Sequence, residues 1–166
     1  MQNLHKDNAI LTVAALVYAP DFANNPQTCG TRGAIASTVG MSVSMSSATG
    51  ALVFTVVNSG TVHQAATSAA VPTGVPVFVA CSVSETAGAI GGIFAINNAI
   101  ETFDATYSSP ATGNATNTMK IGIRGDAVGF FTNGSRLYLL LVWEGVALTA
   151  GQLAALFNAS RGRVRI

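Results

Sequence analysis

The chain has 166 residues, of which only 9% are charged against a usual ~25%, and its formal net charge is +1. That length buries one independent core without needing a second domain. So little charge excludes the field that recruits nucleic acid or anionic lipid and leaves little repulsion between copies, so the composition reads as a subunit of an assembly rather than a free monomer.

A mean hydropathy of +0.47 raises the question of a membrane span. The apolar run 137–143 stops at Glu144 and Gly145, and the stretch 65–83 is interrupted by Pro72, Gly74 and Pro76, whereas a spanning helix needs ~20 mostly apolar residues. The start, "MQNLHKDNAILTV", carries Asp7 and does not read as a secretory signal, so the expectation is a chain made and kept in a reducing cytoplasm. Residues 1–9 read as an N-terminal arm and 10–166 as one domain. The spacing of Cys29 and Cys81 matches no metal or redox motif, and Cys81 belongs to the alternating set Val75, Val77, Val79, Cys81, Val83, as a small core hydrophobe would. Glycosylation triplets at Asn114, Asn133 and Asn158 are discounted in the absence of a signal.

Period-2 patterning dominates the chain. "ILTVAALVY" (10–18) is a mostly apolar strand of the kind covered on both faces, ended by Pro20, Asn24, Asn25 and Pro26. "MSVSMS" (41–46) alternates, placing Met41, Val43 and Met45 inward and the serines outward. It forms a hairpin with "ALVFTVV" (51–57), Gly50 supplying the positive φ of the turn. "TVHQAA", "VPVFVACSV" (75–83) and "GGIFAIN" (91–97) follow, each bounded by Gly, Pro or Asn. A loop of small polar residues spans 104–118, after which "MKIGIRG" (119–125) turns Met119, Ile121 and Ile123 inward and Lys120 and Arg124 outward. "SRLYLLLVW" (135–143) is apolar on both faces, which predicts a central strand or one under a helix. Nine or ten short strands with no βαβ rhythm predict an all-β antiparallel sandwich or jelly roll.

One helix closes the chain. In "LTAGQLAALFNASRG", Thr149 stands at the N-cap with Gln152 three positions on, a capping box. Leu153, Leu156 and Phe157 make one apolar stripe, and Arg161 suits the negative end of the dipole. Trp143, just before it, is expected to pack beneath it, and "GRVRI" is compatible with a short returning strand.

The order of pieces resembles laminin-G-like, concanavalin A-like lectin domains. The resemblance rests on "VPVFVACSV", "GGIFAINN", Met119-Lys-Ile-Gly122 and Ala147-Leu-Thr-Ala-Gly-Gln-Leu153, with "ILTVAALVYAPD" resembling an early family strand. It covers 75–160 well. The family's tryptophan before the first of these strands is replaced by "TGVPVF", and a turn that is usually Asn-Gly reads Asn97-Asn98. Few residues precede Ile10, which suggests a trimmed sandwich with a sheet edge for another chain to cover.

Residues able to carry chemistry are scarce. Glycosidases similar in fold need paired acids flanking the scissile bond. Glu101 and Asp104 are three apart on a strand and point to opposite faces, so they cannot cooperate there. His5 and His63 have no metal-ligating neighbours in sequence. The resemblance brings calcium into consideration, with Asp104 and Asp126 as the available acids, but neither a metal nor any other cofactor is expected. Tyr107, in the long loop, is the one aromatic placed for a glycan platform. Arg161, Arg163 and Arg165 form a basic tail suited to an acidic neighbouring subunit and too small for a nucleic-acid footprint.

Scarce charge, abundant small residues and a trimmed sandwich together lead to the expectation of a non-enzymatic structural protein of a bacteriophage virion. It would be a capsid decoration or tail and fibre subunit, contacting a major capsid or tail protein and copies of itself, with a trimer favoured. The alternative is a lectin-like module that binds a cell-surface glycan.

Overall fold

The computed structural model describes residues 4–5, 10–33, 39–58, 61–86, 89–106, 114–115, 117–124 and 128–162. Two five-stranded antiparallel sheets face each other, with one helix after the last strand. The first sheet is built from β1 (Ile10–Tyr18), β6 (Val77–Thr86), β7 (Ala89–Ile96), β8 (Ala99–Thr106) and β10 (Arg136–Glu144), in the order β10-β1-β6-β7-β8. The second contains β2 (Gln27–Gly30), β3 (Gly40–Met45), β4 (Ala51–Asn58), β5 (Thr61–Ala70) and β9 (Lys120–Ile121), in the order β5-β4-β3-β2-β9. The expected all-β sandwich with a short C-terminal helix is the architecture found.

The apolar run of β1 is explained by what covers each face. Leu11, Val13, Ala15 and Val17 enter the core between the sheets. Ala14 and Leu16 lie under the helix α1 (Ala150–Arg161). β6 follows suit, with Val77, Val79, Cys81 and Val83 inward and Phe78 and Ala80 toward the helix. Its partners from the second sheet are Cys29, Met41, Val43, Met45, Leu52, Phe54 and Val56. Phe103 on β8 stacks on Phe94 with ring centroids 4.4 Å apart. Val75, expected to begin the alternating set, precedes the strand and is 49% exposed.

The β3–β4 hairpin turns through Gly50 at φ 72°. Asn97 turns β7 into β8 at φ 52°, and its side chain gives it a role glycine could not fill. Asn97 Oδ1 accepts the Phe78 N–H (3.0 Å) while its own N–H donates to the Phe78 carbonyl (2.8 Å).

The capping box of α1 is present: Thr149 Oγ1 accepts the Gln152 N–H and Gln152 Oε1 accepts the Thr149 N–H. The helix packs through Leu153 and Phe157, the latter with its ring 5.9 Å from Phe78, while Leu156, Leu139 and Trp143 border the cluster. Thr12, fully buried on β1, anchors the segment entering the helix. Its hydroxyl donates to the Val146 carbonyl (2.9 Å), accepts the Leu148 N–H (3.0 Å) and lies 3.2 Å from Ser82 Oγ.

Several expectations are corrected. Of the two placements expected for β10, the one under the helix is found and the central one is not, since among the described residues β10 pairs only with β1. Its run is apolar on both faces because Leu137, Leu140 and Val142 border the core while Leu139 and Trp143 border the helix cluster. Ser42 and Ser44 do point away from the core, yet both are buried, because Arg32 folds over that face and its Nε donates to Ser42 Oγ at 2.7 Å. Ile121, expected inward, is 58% exposed because β9 is only two residues long and sits at a sheet edge. The polar loop begins later than residue 104, since β8 continues to Thr106. Of residues 1–9, Leu4 and His5 are described; both are buried, Leu4 within the main core. Among the described residues no helix is long and apolar enough to cross a membrane.

Candidate functional site

The outward face of the second sheet carries a polar depression. Ser44, Val53 and Ala66 are register partners across β3, β4 and β5, so they form one row that makes its floor. Two of the three are among the smallest side chains, which leaves a cavity of about 380 Å³ above them. Asn25, Ser46 and Thr49 form the rim on the side of the β3–β4 turn. That rim is braced internally: Asn25 Oδ1 accepts the Ser47 N–H (2.8 Å) and Ser46 Oγ accepts the Thr49 N–H (3.3 Å). Gln64 stands on β5 with its amide Nε2 donating to Thr55 Oγ1 at 3.0 Å, which fixes its orientation.

Arg32 and Arg124 complete the wall. Arg32 leaves β2 just past Gly30 and is 6% exposed. Below it, Gln27 is buried over β2, and this requires Gly30: a Cβ there would stand 2.8 Å from Gln27 Oε1 and 2.9 Å from Ser42 Cβ. Arg124, half-buried, comes from the loop after β9, where its N–H donates to the Val128 carbonyl (3.2 Å). Among the described residues the lining contains two guanidinium groups, hydroxyls and amides and no carboxylate. Such a set offers N–H donors in a fork that matches a carboxylate and further donors and acceptors for hydroxyl groups. Partial burial strengthens those hydrogen bonds over what they would be worth in bulk water.

Of the candidate residues singled out from sequence, those described lie elsewhere. Tyr107, Asp126, Arg163 and Arg165 fall outside the described residues, as does the side chain of Asp104. Arg161 ends α1, on the helix that covers the first sheet, with its guanidinium carbon 5.9 Å from the Phe157 ring centroid. Glu101 serves the structure, since its carboxylate accepts the Ser68 N–H (2.9 and 3.0 Å) and the Ser68 hydroxyl (2.9 Å). His63 is half-buried on β5 opposite Val56. Among the described residues no three His, Cys, Asp or Glu side chains gather as a metal site. Both cysteines are buried and free. Burial pushes the Cys29 thiol up to about 12, against a hydrogen bond with Thr28, and raises that of Cys81, which also feels Cys29.

No family model and no curated protein sequence matches this chain. Its fold is similar to several solved structures. The carbohydrate-binding module CBM40 of the Ruminococcus gnavus IT-sialidase, bound to α2,3-sialyllactose, superposes with a TM-score of 0.64 at 15% identity, covering 91% of this chain and 84% of that one. A heptameric pentraxin from Limulus polyphemus gives 0.59 at 18% identity, covering 95% and 74%. Botulinum neurotoxin type C, described as needing two ganglioside molecules to enter cells, gives 0.62 at 12% identity, but this chain spans only 37% of that one. These likenesses establish a lectin-like β-sandwich fold.

Proposed function

We propose that the chain is a carbohydrate-binding module whose ligand is an acidic sugar, held in the depression between Arg32 and Arg124. The observation that carries this is the pair of guanidinium groups over a floor of small residues, with Gln64, Asn25 and Ser44 at hand for hydroxyls. A carboxylated pyranose such as a sialic acid presents that combination of one anion and several hydroxyls. The sialyllactose-bound CBM40 and the ganglioside-dependent toxin are neighbours in fold whose ligands carry this chemistry. Hydrolysis of a glycosidic bond uses a pair of carboxyl groups, and among the described residues the lining supplies none.

The capsid-decoration or tail reading, with its trimer and its virion setting, draws on composition and on the trimmed sandwich expected from sequence. None of the three neighbours is described as a virion component, and the depression favours the glycan-binding alternative.

The test is calorimetric titration of the intact chain with 3′-sialyllactose and with lactose. Sialyllactose should bind and neutral lactose should not. Arg124→Ala should weaken binding by about ten-fold or more, as expected when a charge-assisted hydrogen bond worth about 1.5–3 kcal/mol is removed. Equal binding of lactose, or indifference to Arg124→Ala and Arg32→Lys alike, would overturn the reading.

A further inference from the structure

We infer that Asn133 is a self-modification site, where attack by the main-chain nitrogen of Gly134 expels the side-chain amide and leaves a carboxylate in its place. This inference is independent of the carbohydrate reading.

The step needs an asparagine amide and a following main-chain N–H that nothing holds, and a next residue that leaves the attack unobstructed. The chain has one Asn-Gly pair, at positions 133 and 134. It forms the turn before β10, where the Ser135 N–H donates to the Thr132 carbonyl (3.1 Å) and Gly134 lies at φ 89°. With Asn133 at negative φ, this is a type II turn, whose own hydrogen bond leaves the central peptide unused. Both residues are exposed, and a Cβ placed on Gly134 would meet nothing within 4 Å. Among the described residues neither the Asn133 amide nor the Gly134 N–H is hydrogen-bonded. Glycine accepts either sign of φ, so the peptide between them rotates without strain to bring its nitrogen onto Asn133 Cγ.

Other asparagines are held back by their surroundings. Asn25 precedes Pro26, which has no N–H to attack with. The N–H that follows Asn24 donates to the Phe22 carbonyl (3.0 Å). Asn97 Oδ1 is engaged by the Phe78 N–H (3.0 Å). Asn158 lies within α1, where the next N–H belongs to the helical ladder.

The Gly134 nitrogen gives its proton to hydroxide and bonds to Asn133 Cγ. The bond from Cγ to Nδ2 breaks, and that nitrogen takes a proton from water and departs as ammonia. Water then opens the cyclic imide. Opening at Cγ restores the ordinary main chain with aspartate at 133, and opening at the main-chain carbonyl leaves isoaspartate. One water enters and one ammonia leaves, with no change of oxidation state. The formal net charge falls from +1 to zero, the condition in which copies repel one another least.

The test is to age the full chain in warm, mildly alkaline buffer made with heavy-oxygen water, then to digest it and map the peptides by mass spectrometry. The peptide containing Asn133 should gain one labelled oxygen and appear as an aspartate and isoaspartate pair. Isoelectric focusing should show a new band acid to the parent near 7.8, at the position of freshly made Asn133→Asp. Asn133→Gln should lose both the label and the band, because glutamine must close a larger ring. The position is exposed, so circular dichroism should report unchanged folding. An Asn133 peptide that stays unlabelled in the folded chain while a urea-unfolded sample converts would show that the turn shields it, and would overturn the inference. Conversion that appears first at another asparagine would overturn it as well.

Discussion

Glu101 on β8 grips Ser68 on β5, its two carboxylate oxygens accepting the Ser68 N–H at 2.9 and 3.0 Å and one of them the Ser68 hydroxyl at 2.9 Å. β8 is the last strand of one sheet and β5 the last of the other, so this contact closes one side of the sandwich. Glu101→Ala should lower stability by about 1–2 kcal/mol, within the range of hydrogen bonds to a charged acceptor near the surface. Urea unfolding gives the magnitude, and faster hydrogen exchange at the Ser68 amide would localise the effect. An unchanged Ser68 exchange rate would show that the two edges are held by something else.

The helix is held by two positions more than by its whole stripe. Leu153 is fully buried and Phe157 nearly so, whereas Leu156 borders the same cluster half-buried. Leu153→Ala should cost about 2–5 kcal/mol as a core truncation. Leu156→Asp, which places a charge at the margin of the cluster, should cost less, about 1–2 kcal/mol. Thermal unfolding of the two variants side by side would expose a reversed order.

The two cysteines make stability fall in alkali. Below the ordinary thiol value of 9.0, both are neutral in the folded and unfolded chains alike. Above it the unfolded chain ionises while burial keeps Cys29 protonated up to about 12. The folded state therefore loses ground between these limits, by about 1.4 kcal/mol per pH unit for each such thiol. Cys81, raised by the same burial, adds to the slope. Urea midpoints measured from about pH 8 to about pH 10.5, a range that straddles the ordinary thiol value, should decline more steeply for wild type than for Cys29→Ala. Equal slopes would mean that the thiol reaches solvent.

What the sequence disclosed followed from local rules. Alternation located β3 and β6, an apolar run ended by turn formers located β1, Gly50 announced the turn into β4, and the Thr149 and Gln152 pair announced the helix start, because each depends on residues a few positions apart. The polar depression was hidden because it depends on distant ones. Arg32 and Arg124 meet only after β9 pairs with β2, and the pattern "MKIGIRG" marked Arg124 as outward without saying what it would face. Ser42 and Ser44 were correctly assigned a face, but not their cover, since a short loop sends Arg32 back over them. β10 misled for a related reason: apolar side chains on both faces report the layers above and below a strand, and say nothing of its neighbours in the plane.

Thr12 ties β1 to the helix through the main chain at Val146 and Leu148. A twelve-residue helix is marginal alone in water, and its seat of Ala14, Leu16, Phe78 and Ala80 exists only once β1 and β6 lie side by side. The helix is therefore a gauge of completion for the first sheet, forming after it and lost with it.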